Sequence, residues 1–270
     1  MSTNRLIPIA EPAMPPPATT REFGLFTLGF RPFYLLAALS AAVSMAGWMG
    51  VLEGFGWSGH LPAVVWHQHE MVYGFALAAM SGFLLTAGKV WTGLPTPQGW
   101  MLGLLVAHWI AARILLYTGP YPAAAMVDGS FPFVLAAVMG RVIVAAGSRR
   151  NYFAVAVLVL LGLANLGFYL EQVALVTWPA GLAVRAALFL VVTMVLVIGG
   201  RVVPSFTANA LPLAGVIVRS PRLDPAALGF TIAAFLAVLA SLPAAITAPI
   251  ASIAAIRTSV MAKNIWAGSR

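Results

Sequence analysis

Apolar segments of about 20 residues recur along almost the whole chain, and they leave few folds open to it. An α-helix rises about 1.5 Å per residue, so a helix of this length crosses the roughly 30 Å hydrocarbon layer of a bilayer. Hydrophobic residues make up 61% of the 270 residues, and charged residues make up only 8%. Soluble domains carry about 25% charged residues. We therefore predict an all-α, polytopic transmembrane helix bundle.

The apolar runs predict about seven spanning helices, each with boundaries known to within a few residues. These helices are predicted over residues 32–52, 67–88, 100–118, 130–147, 152–171, 181–203 and 225–242. After the seventh helix comes a short apolar segment that is too short for an ordinary span. The chain thus divides into a flexible cytoplasmic tail over residues 1–30, a transmembrane bundle over 31–256 and a basic tail over 257–270.

The charged residues predict an orientation in the membrane. The net charge of +8 comes from basic residues scattered between the apolar runs, so we expect no nucleic-acid partner. Basic residues gather at one end of the predicted helices. The loops at the opposite end carry acidic residues and no Lys or Arg, which is the positive-inside pattern. The basic residues at the predicted inner ends are Arg5, Arg21, Arg31, Lys89, Arg141, Arg149, Arg150, Arg201, Arg219 and Arg222, and the outer acids are Glu53, Glu70, Asp128 and Glu171. The N-terminus is therefore predicted to be cytoplasmic, and the block at residues 67–70 is predicted to face the periplasm.

That block, which reads Trp-His-Gln-His-Glu-Met over residues 66–71, is the strongest candidate for chemistry. The chain has no cysteine, so His, Met, Glu, Asp and Tyr are the remaining metal ligands. His67 and His69 would point about 200° apart on a helix, whereas His67 and Met71 lie one turn apart. An imidazole and a thioether suit copper, and Glu70 could orient an imidazole. The alternative is that these are polar residues in contact with water and lipid headgroups.

Three further polar residues stand inside or at the ends of predicted helices. His108 lies near the middle of the third helix, about 12 to 15 Å deeper than His67. It could ligate a second centre, or it could be a neutral histidine bonded across helices. Arg113 and Arg185 lie near outer ends, against the inside rule. Each could hold an anionic group, or its side chain could extend to lipid headgroups.

Several stretches together resemble the NnrS family, a bacterial inner-membrane family associated with haem, copper and nitric oxide metabolism. The matching motifs occur in family order between residue 23 and about residue 215. They read GFRPFYLL over 29–36, WHQHEM over 66–71 with Gly-Phe at 74–75, SGFLLTA over 81–87, WTGLP over 91–95 and GRVVPSFTANAL over 200–211.

The resemblance implies a haem and copper protein that metabolises nitric oxide or protects against nitrosative stress. It implies that His67, His69 and Glu70 fill the family's His-x-His-Glu block, with Met71 beside them as a further copper ligand. The cofactor-binding residues would then be His67, His69 and His108, with Arg113 and Arg185 as partners of haem propionates. His108 lies too deep to share one iron with His67, so it would ligate a second centre. The bilayer, haem and copper are then the expected partners.

The resemblance also implies that family members are longer, with further C-terminal histidines that include a Leu-Gly-His-Thr-Gly motif. By that comparison the chain is truncated and would hold part of a site, so we expect either a homo-oligomer or a missing C-terminal partner segment. A different class of function stays open from the residues alone. A transporter or channel for a small anion or metabolite would use His108, Arg113 and Arg185 along its path without a metal.

Overall fold

The computed structural model describes residues 24–55, 59–210, 223–241, 247–249 and 251–252. These residues form helices and connecting turns, with no strand among them. A short 3₁₀ turn at Gly24–Thr27 precedes the first long helix. The helices are α1 Phe30–Leu52, α2 Ala63–His69, a π-helical segment Glu70–Ala76, α3 Leu77–Thr92, α4 Gly99–Thr118, α5 Tyr121–Ala145, α6 Tyr152–Gln172, α7 Leu182–Ala210 and α8 Leu223–Leu239.

This arrangement confirms the predicted all-α polytopic bundle. Six spans of the described chain are long and apolar enough to cross a membrane, one of them the continuous run Ala63–Thr92 formed by α2, the π-helical segment and α3. The seventh predicted helix corresponds to α8, whose apolar part is shorter. The predicted tails fall mostly on residues 1–23 and 257–270, which lie outside the described residues, as does most of the predicted short C-terminal segment.

Two helices begin earlier than the hydropathy predicts, and both differences matter for the site. The second span begins at Ala63 instead of residue 67, so His67 lies a full turn inside the helix. α5 begins at Tyr121 instead of residue 130, with Pro122 in its first turn, where proline's fixed φ suits a helix start. Asp128, predicted to lie in an outer loop, is therefore two turns inside α5.

The long helices pack around a core formed mainly by the second span, α5 and α6. α5 packs against α4 on one side and α6 on the other, α6 packs against α7, and α1 packs along α3. Large fully buried side chains fill these interfaces: Phe33, Tyr73, Leu84, Leu85, Phe131, Leu135, Met139 and Phe168. Outward-facing residues of α1 such as Leu35, Leu39 and Val43 are exposed, as expected for side chains in contact with lipid.

Candidate functional site

A group of polar side chains is buried between the second span, α4, α5 and α6. His69, Glu70, Asp128 and Asn165 are at most 5% exposed. Arg113 of α4 reaches into the same group with a side chain that is 12% exposed. Together with Tyr169 we call these residues the buried polar cluster. Since burying a charge in a membrane protein is costly unless it is paired, the cluster depends on how its charges are matched.

Arg113 pairs with both carboxylates of the cluster. Its Nη1 donates to Glu70 Oε1 at 2.5 Å, and its Nη2 pairs with Asp128 Oδ1. The guanidinium also lies over the Trp109 ring, with Cζ 5.6 Å from the ring centroid. One arginine therefore ties the second span to α5 through α4, in an environment where each charge would be unstable alone.

Neutral groups on α6 satisfy the remaining oxygens of Asp128. Asn165 Nδ2 donates to Asp128 Oδ2 at 2.7 Å, and the Tyr169 hydroxyl donates to the same oxygen at 2.9 Å. Pro132 lies four residues after Asp128 and has no N–H for its backbone carbonyl. Asn165 Nδ2 also lies 3.3 Å from that carbonyl. The proline thus leaves an acceptor free, and the asparagine one helix away supplies a donor.

His69 closes the cluster and is completely buried. Its Nε2 lies 3.0 Å from Asn165 Oδ1 and 3.2 Å from Asp128 Oδ2. Its ring stacks on Tyr73, with centroids 4.8 Å apart, and contacts the Phe168 ring at 4.5 Å. Its Nδ1 lies 3.5 Å from Glu70 Oε1 and, like His67 Nδ1, is buried without a hydrogen bond among the described residues. The imidazole is thus held at Nε2 and on its faces, and it does not line the His67 cavity, so we interpret it as a structural histidine.

The π-helical segment Glu70–Ala76 shapes this region, and such segments are often found at functional sites. Gly74 lies within it, at the point where the second span meets α1. A Cβ atom at Gly74 would stand 2.6 Å from Ser40 Oγ and 2.7 Å from Glu70 Oε2. Only glycine leaves room there for both the Ser40 hydroxyl of α1 and the Glu70 carboxylate.

We expect Gly74→Ala to lower the free energy of unfolding by about 1 to 3 kcal/mol, because the added methyl group overpacks this contact. The measurement is an unfolding titration of the purified protein in mixed micelles. Gly103→Ala in α4 is the matched control, since a Cβ there meets nothing within 4 Å. Its stability should be unchanged or slightly higher. Equal stability of the Gly74 variant and the wild type would contradict the close approach.

The opposite side of the second span faces a cavity of about 900 Å³, which lies between this span, the end of α6, the α6–α7 loop and the start of α7. We call it the His67 cavity. Its walls are mostly apolar, with several polar side chains among them. The lining includes His67, Gln68, Met71, Val72, Phe168, Glu171, Trp178, Val184, Arg185 and Leu188.

His67 is the strongest ligand candidate in this cavity. Its ring stacks on Trp48 of α1, with centroids 5.0 Å apart and planes 17° apart. Its Nδ1 is buried and has no hydrogen-bond partner among the described residues. Met71 follows one turn later on the same wall. An unsatisfied imidazole nitrogen with a nearby thioether fits copper, and an imidazole beside a large apolar cavity fits haem.

The α6–α7 loop forms the outer wall of the cavity and is fixed at both ends. Glu171 Oε1 accepts a hydrogen bond of 2.5 Å from the Gly181 backbone N–H. The Trp178 ring packs onto Gly167, where a Cβ would lie 3.0 Å from the ring. Arg185 is exposed and donates to the Ala180 carbonyl at 3.2 Å. Its cation therefore stands at the rim of the cavity, where an anionic group of a bound molecule could reach it.

The structure divides the predicted metal and cofactor residues into separate places. His67, Met71 and Arg185 line one cavity, whereas His69 and Glu70 turn into the buried polar cluster with Arg113. His67 and His69 thus face different sides of the helix, as their spacing predicts. In the described part of the chain, no group of three or more His, Asp or Glu side chains is arranged to hold a metal ion.

His108 lies apart from both places. Its Nε2 is 2.8 Å from the Val127 carbonyl and 3.2 Å from Ser130 Oγ, and its ring meets Phe131 edge to face. Hydrogen bonding across helices is one of the two roles that the sequence left open for His108. The transport alternative would use His108, Arg113 and Arg185 along one path. These residues do not line a common cavity among those described, because Arg113 pairs with carboxylates inside the bundle and Arg185 lines the His67 cavity.

Sequence reasoning missed Asp128, Asn165 and Tyr169 as members of the site. Two signals were available in the chain. Asn165 and Tyr169 stand one turn apart inside an otherwise apolar run, and polar residues in such runs usually face a helix interface. The Gly-Pro-Tyr-Pro sequence at residues 119–122 indicates a helix start early enough to carry Asp128 inward.

The family model described as NnrS protein matches the chain over residues 24–268. No curated protein and no solved structure matches it. The matched region includes every residue of the buried polar cluster and of the His67 cavity.

Proposed function

Because the chain belongs to the NnrS family, we propose that this multi-pass membrane protein binds haem or copper in the His67 cavity and acts in nitric oxide metabolism or nitrosative stress protection. The observation that carries the proposal is the His67 imidazole, which lines a cavity of about 900 Å³ and whose buried Nδ1 has no hydrogen-bond partner among the described residues. A buried nitrogen without a partner is unfavourable unless something binds it.

Three residues of the cavity lining have distinct roles in this proposal. His67 supplies an imidazole nitrogen, and the Trp48 ring fixes the orientation of that imidazole. Met71 supplies a thioether one turn away, which favours copper over harder ions. Arg185 at the rim would pair with an anionic group such as a haem propionate. A bound haem iron or copper ion would supply the redox-active centre.

The buried polar cluster supports this site from the other face of the same helix. Glu70 stands between His69 and Met71 in the sequence, and its carboxylate is fixed by Arg113. Since ligand geometry must be held closely for tight metal binding, fixing Glu70 and His69 also fixes the helix that carries His67. In this proposal His69, Glu70 and Arg113 position the helix and do not touch the cofactor.

We propose the inner membrane as the location, with a cytoplasmic N-terminus. Arg31, Lys89, Arg149 and Arg150 then stand at the cytoplasmic ends of the spans, in accord with the positive-inside rule. The His67 cavity opens near the periplasmic end under this orientation, about 6 Å inside the start of α2. Nitric oxide is small and uncharged, so it can reach a site at this depth from the water or from the lipid.

Expression of the chain should protect bacteria that lack their own nitric oxide defences. We expect the wild-type protein to shorten the growth lag after a pulse of a nitric oxide donor, and we expect His67→Ala to remove that protection. His60→Ala is the matched control, because it removes an exposed loop histidine. Protein levels in the membrane fraction must be equal across the strains. A wild-type strain that grows no better than the empty-vector strain would contradict the proposed role.

A further inference from the structure

A second groove lies at the opposite end of the bundle from the His67 cavity, where α1 begins. It has a volume of about 630 Å³, and its lining is almost entirely apolar apart from one guanidinium. The lining residues are Gly24, Leu25, Phe30, Arg31, Tyr34 and Leu35. We call it the Arg31 groove. It has no part in the proposed cofactor site.

The Arg31 side chain is held in place from one side. Its Nη1 donates to the Gly24 carbonyl at 2.5 Å and to Thr27 Oγ1 at 3.0 Å, so the 3₁₀ turn before α1 fixes the guanidinium. Both contacts use the same nitrogen. Nε and Nη2 donate to no acceptor among the described residues, and these two nitrogens form the edge of the fork that binds phosphate oxygens in pairs.

No carboxylate among the described side chains neutralises Arg31. The acidic side chains that the structure describes are Glu53, Glu70, Asp128 and Glu171, which all belong to the other end of the bundle. A second cation stands near Arg31. The backbone N–H of Phe30 donates to Thr86 Oγ1 at 3.1 Å, and exposed Lys89 follows Thr86 by one turn of α3. Among the described side chains, the charge at this end of the α1–α3 pair is therefore positive.

The surroundings of the groove match a lipid more closely than a soluble anion. Arg31 lies at the first turn of a 23-residue apolar span, which is the depth of the lipid headgroups. Below it, Leu35 and Leu39 are 63% and 60% exposed on the same helix and offer an apolar path for a chain. Tyr34 beside them has the amphipathic ring that favours the membrane interface.

We propose that the Arg31 groove binds an anionic phospholipid, with the phosphate on the Nε and Nη2 edge of Arg31 and one acyl chain along Leu35 and Leu39. Lys89 adds attraction for the negative headgroup. Lipid bound there would rest against the 3₁₀ turn and the start of α1, and so would hold the end of the first span at the bilayer surface.

The test is native mass spectrometry of the detergent-solubilised protein titrated with phosphatidylglycerol, phosphatidylcholine or soluble glycerol phosphate. We expect one phosphatidylglycerol to bind ahead of phosphatidylcholine, and Arg31→Gln to weaken that binding about fivefold. Arg31→Lys keeps the charge but not the planar guanidinium. Its affinity for phosphatidylglycerol should lie between those of the wild type and Arg31→Gln. Leu35→Ser leaves Arg31 intact and should also weaken the lipid, because it removes an acyl contact.

Arg141→Gln is the control, since Arg141 is also exposed near the end of a span but does not line the Arg31 groove. It should bind phosphatidylglycerol as the wild type does. Equal binding by the wild type and Arg31→Gln, or equal binding of the two phospholipids, would overturn the proposal. Glycerol phosphate that binds as tightly as phosphatidylglycerol would also overturn it, because the site would then recognise free phosphate.

Discussion

Arg113→Met is expected to cost the protein about 3 to 5 kcal/mol of its free energy of unfolding, more than any other single change considered in the bundle. The substitution keeps the length and the apolar stem of the side chain but leaves Glu70 and Asp128 buried without their cation. Two uncompensated carboxylates inside a membrane bundle are far less favourable than one missing contact. The measurement is an unfolding titration in mixed micelles, followed by tryptophan fluorescence.

A combined variant distinguishes lost charge balance from lost packing. Arg113→Met together with Glu70→Gln and Asp128→Asn removes all three charges and keeps the shapes, so it should recover most of the lost stability. Arg185→Gln removes an exposed arginine and should change the stability by less than about 0.5 kcal/mol. If the triple variant is no more stable than Arg113→Met alone, the charge argument is wrong.

Most of the fold could be predicted from the sequence, because length and hydropathy alone decide which segments can span a bilayer. The predicted helices 32–52, 100–118 and 152–171 lie within two residues of α1, α4 and α6. The early start of α5 was missed because hydropathy counts a charged residue as unfavourable in the membrane whether or not a partner neutralises it, so the segment containing Asp128 was assigned to a loop. The second helix was predicted to begin at His67, which left the apolar residues 63–66 outside it.

The buried polar cluster could not be predicted in the same way, because its contacts are distant in the sequence. Glu70 and Arg113 are 43 residues apart. Helical periodicity predicts which face of one helix a residue occupies, but it does not predict which helix that face meets. The sequence identified His69, Glu70 and Arg113 as unusual, and it left open whether they bind a cofactor. Only the packing of α4, α5 and α6 reveals that their charged groups pair inside the bundle.

The His67 cavity was predicted in part, since His67 and Met71 share a face one turn apart. The family resemblance implied that Arg185 serves the same cofactor as His67, whereas the residues alone left lipid headgroups as the alternative, because the α6–α7 loop determines the position of Arg185. The anchoring of that loop through Glu171 and Gly181 is equally a product of the tertiary structure. The separation of the two histidines followed from local geometry alone, and it makes the cofactor proposal specific to His67.

His67→Ala is expected to weaken cofactor binding by at least about 100-fold, because loss of a residue that merely supports a ligand already costs about 10- to 100-fold. His108→Ala should bind the cofactor as the wild type does, because His108 hydrogen-bonds to Val127 and Ser130 away from the cavity. Met71→Leu keeps the volume and removes the thioether. It should weaken copper binding and leave haem binding nearly unchanged if His67 alone ligates the iron.

The most direct test of the account is titration of the purified protein with haem and, separately, with copper, followed by absorption in the Soret region and by metal content after gel filtration. We expect the wild type and His108→Ala to bind at least one of the two cofactors stoichiometrically, and we expect His67→Ala to lose that binding. Unchanged binding of both in a folded His67→Ala variant would contradict the central claim that the His67 cavity holds the cofactor.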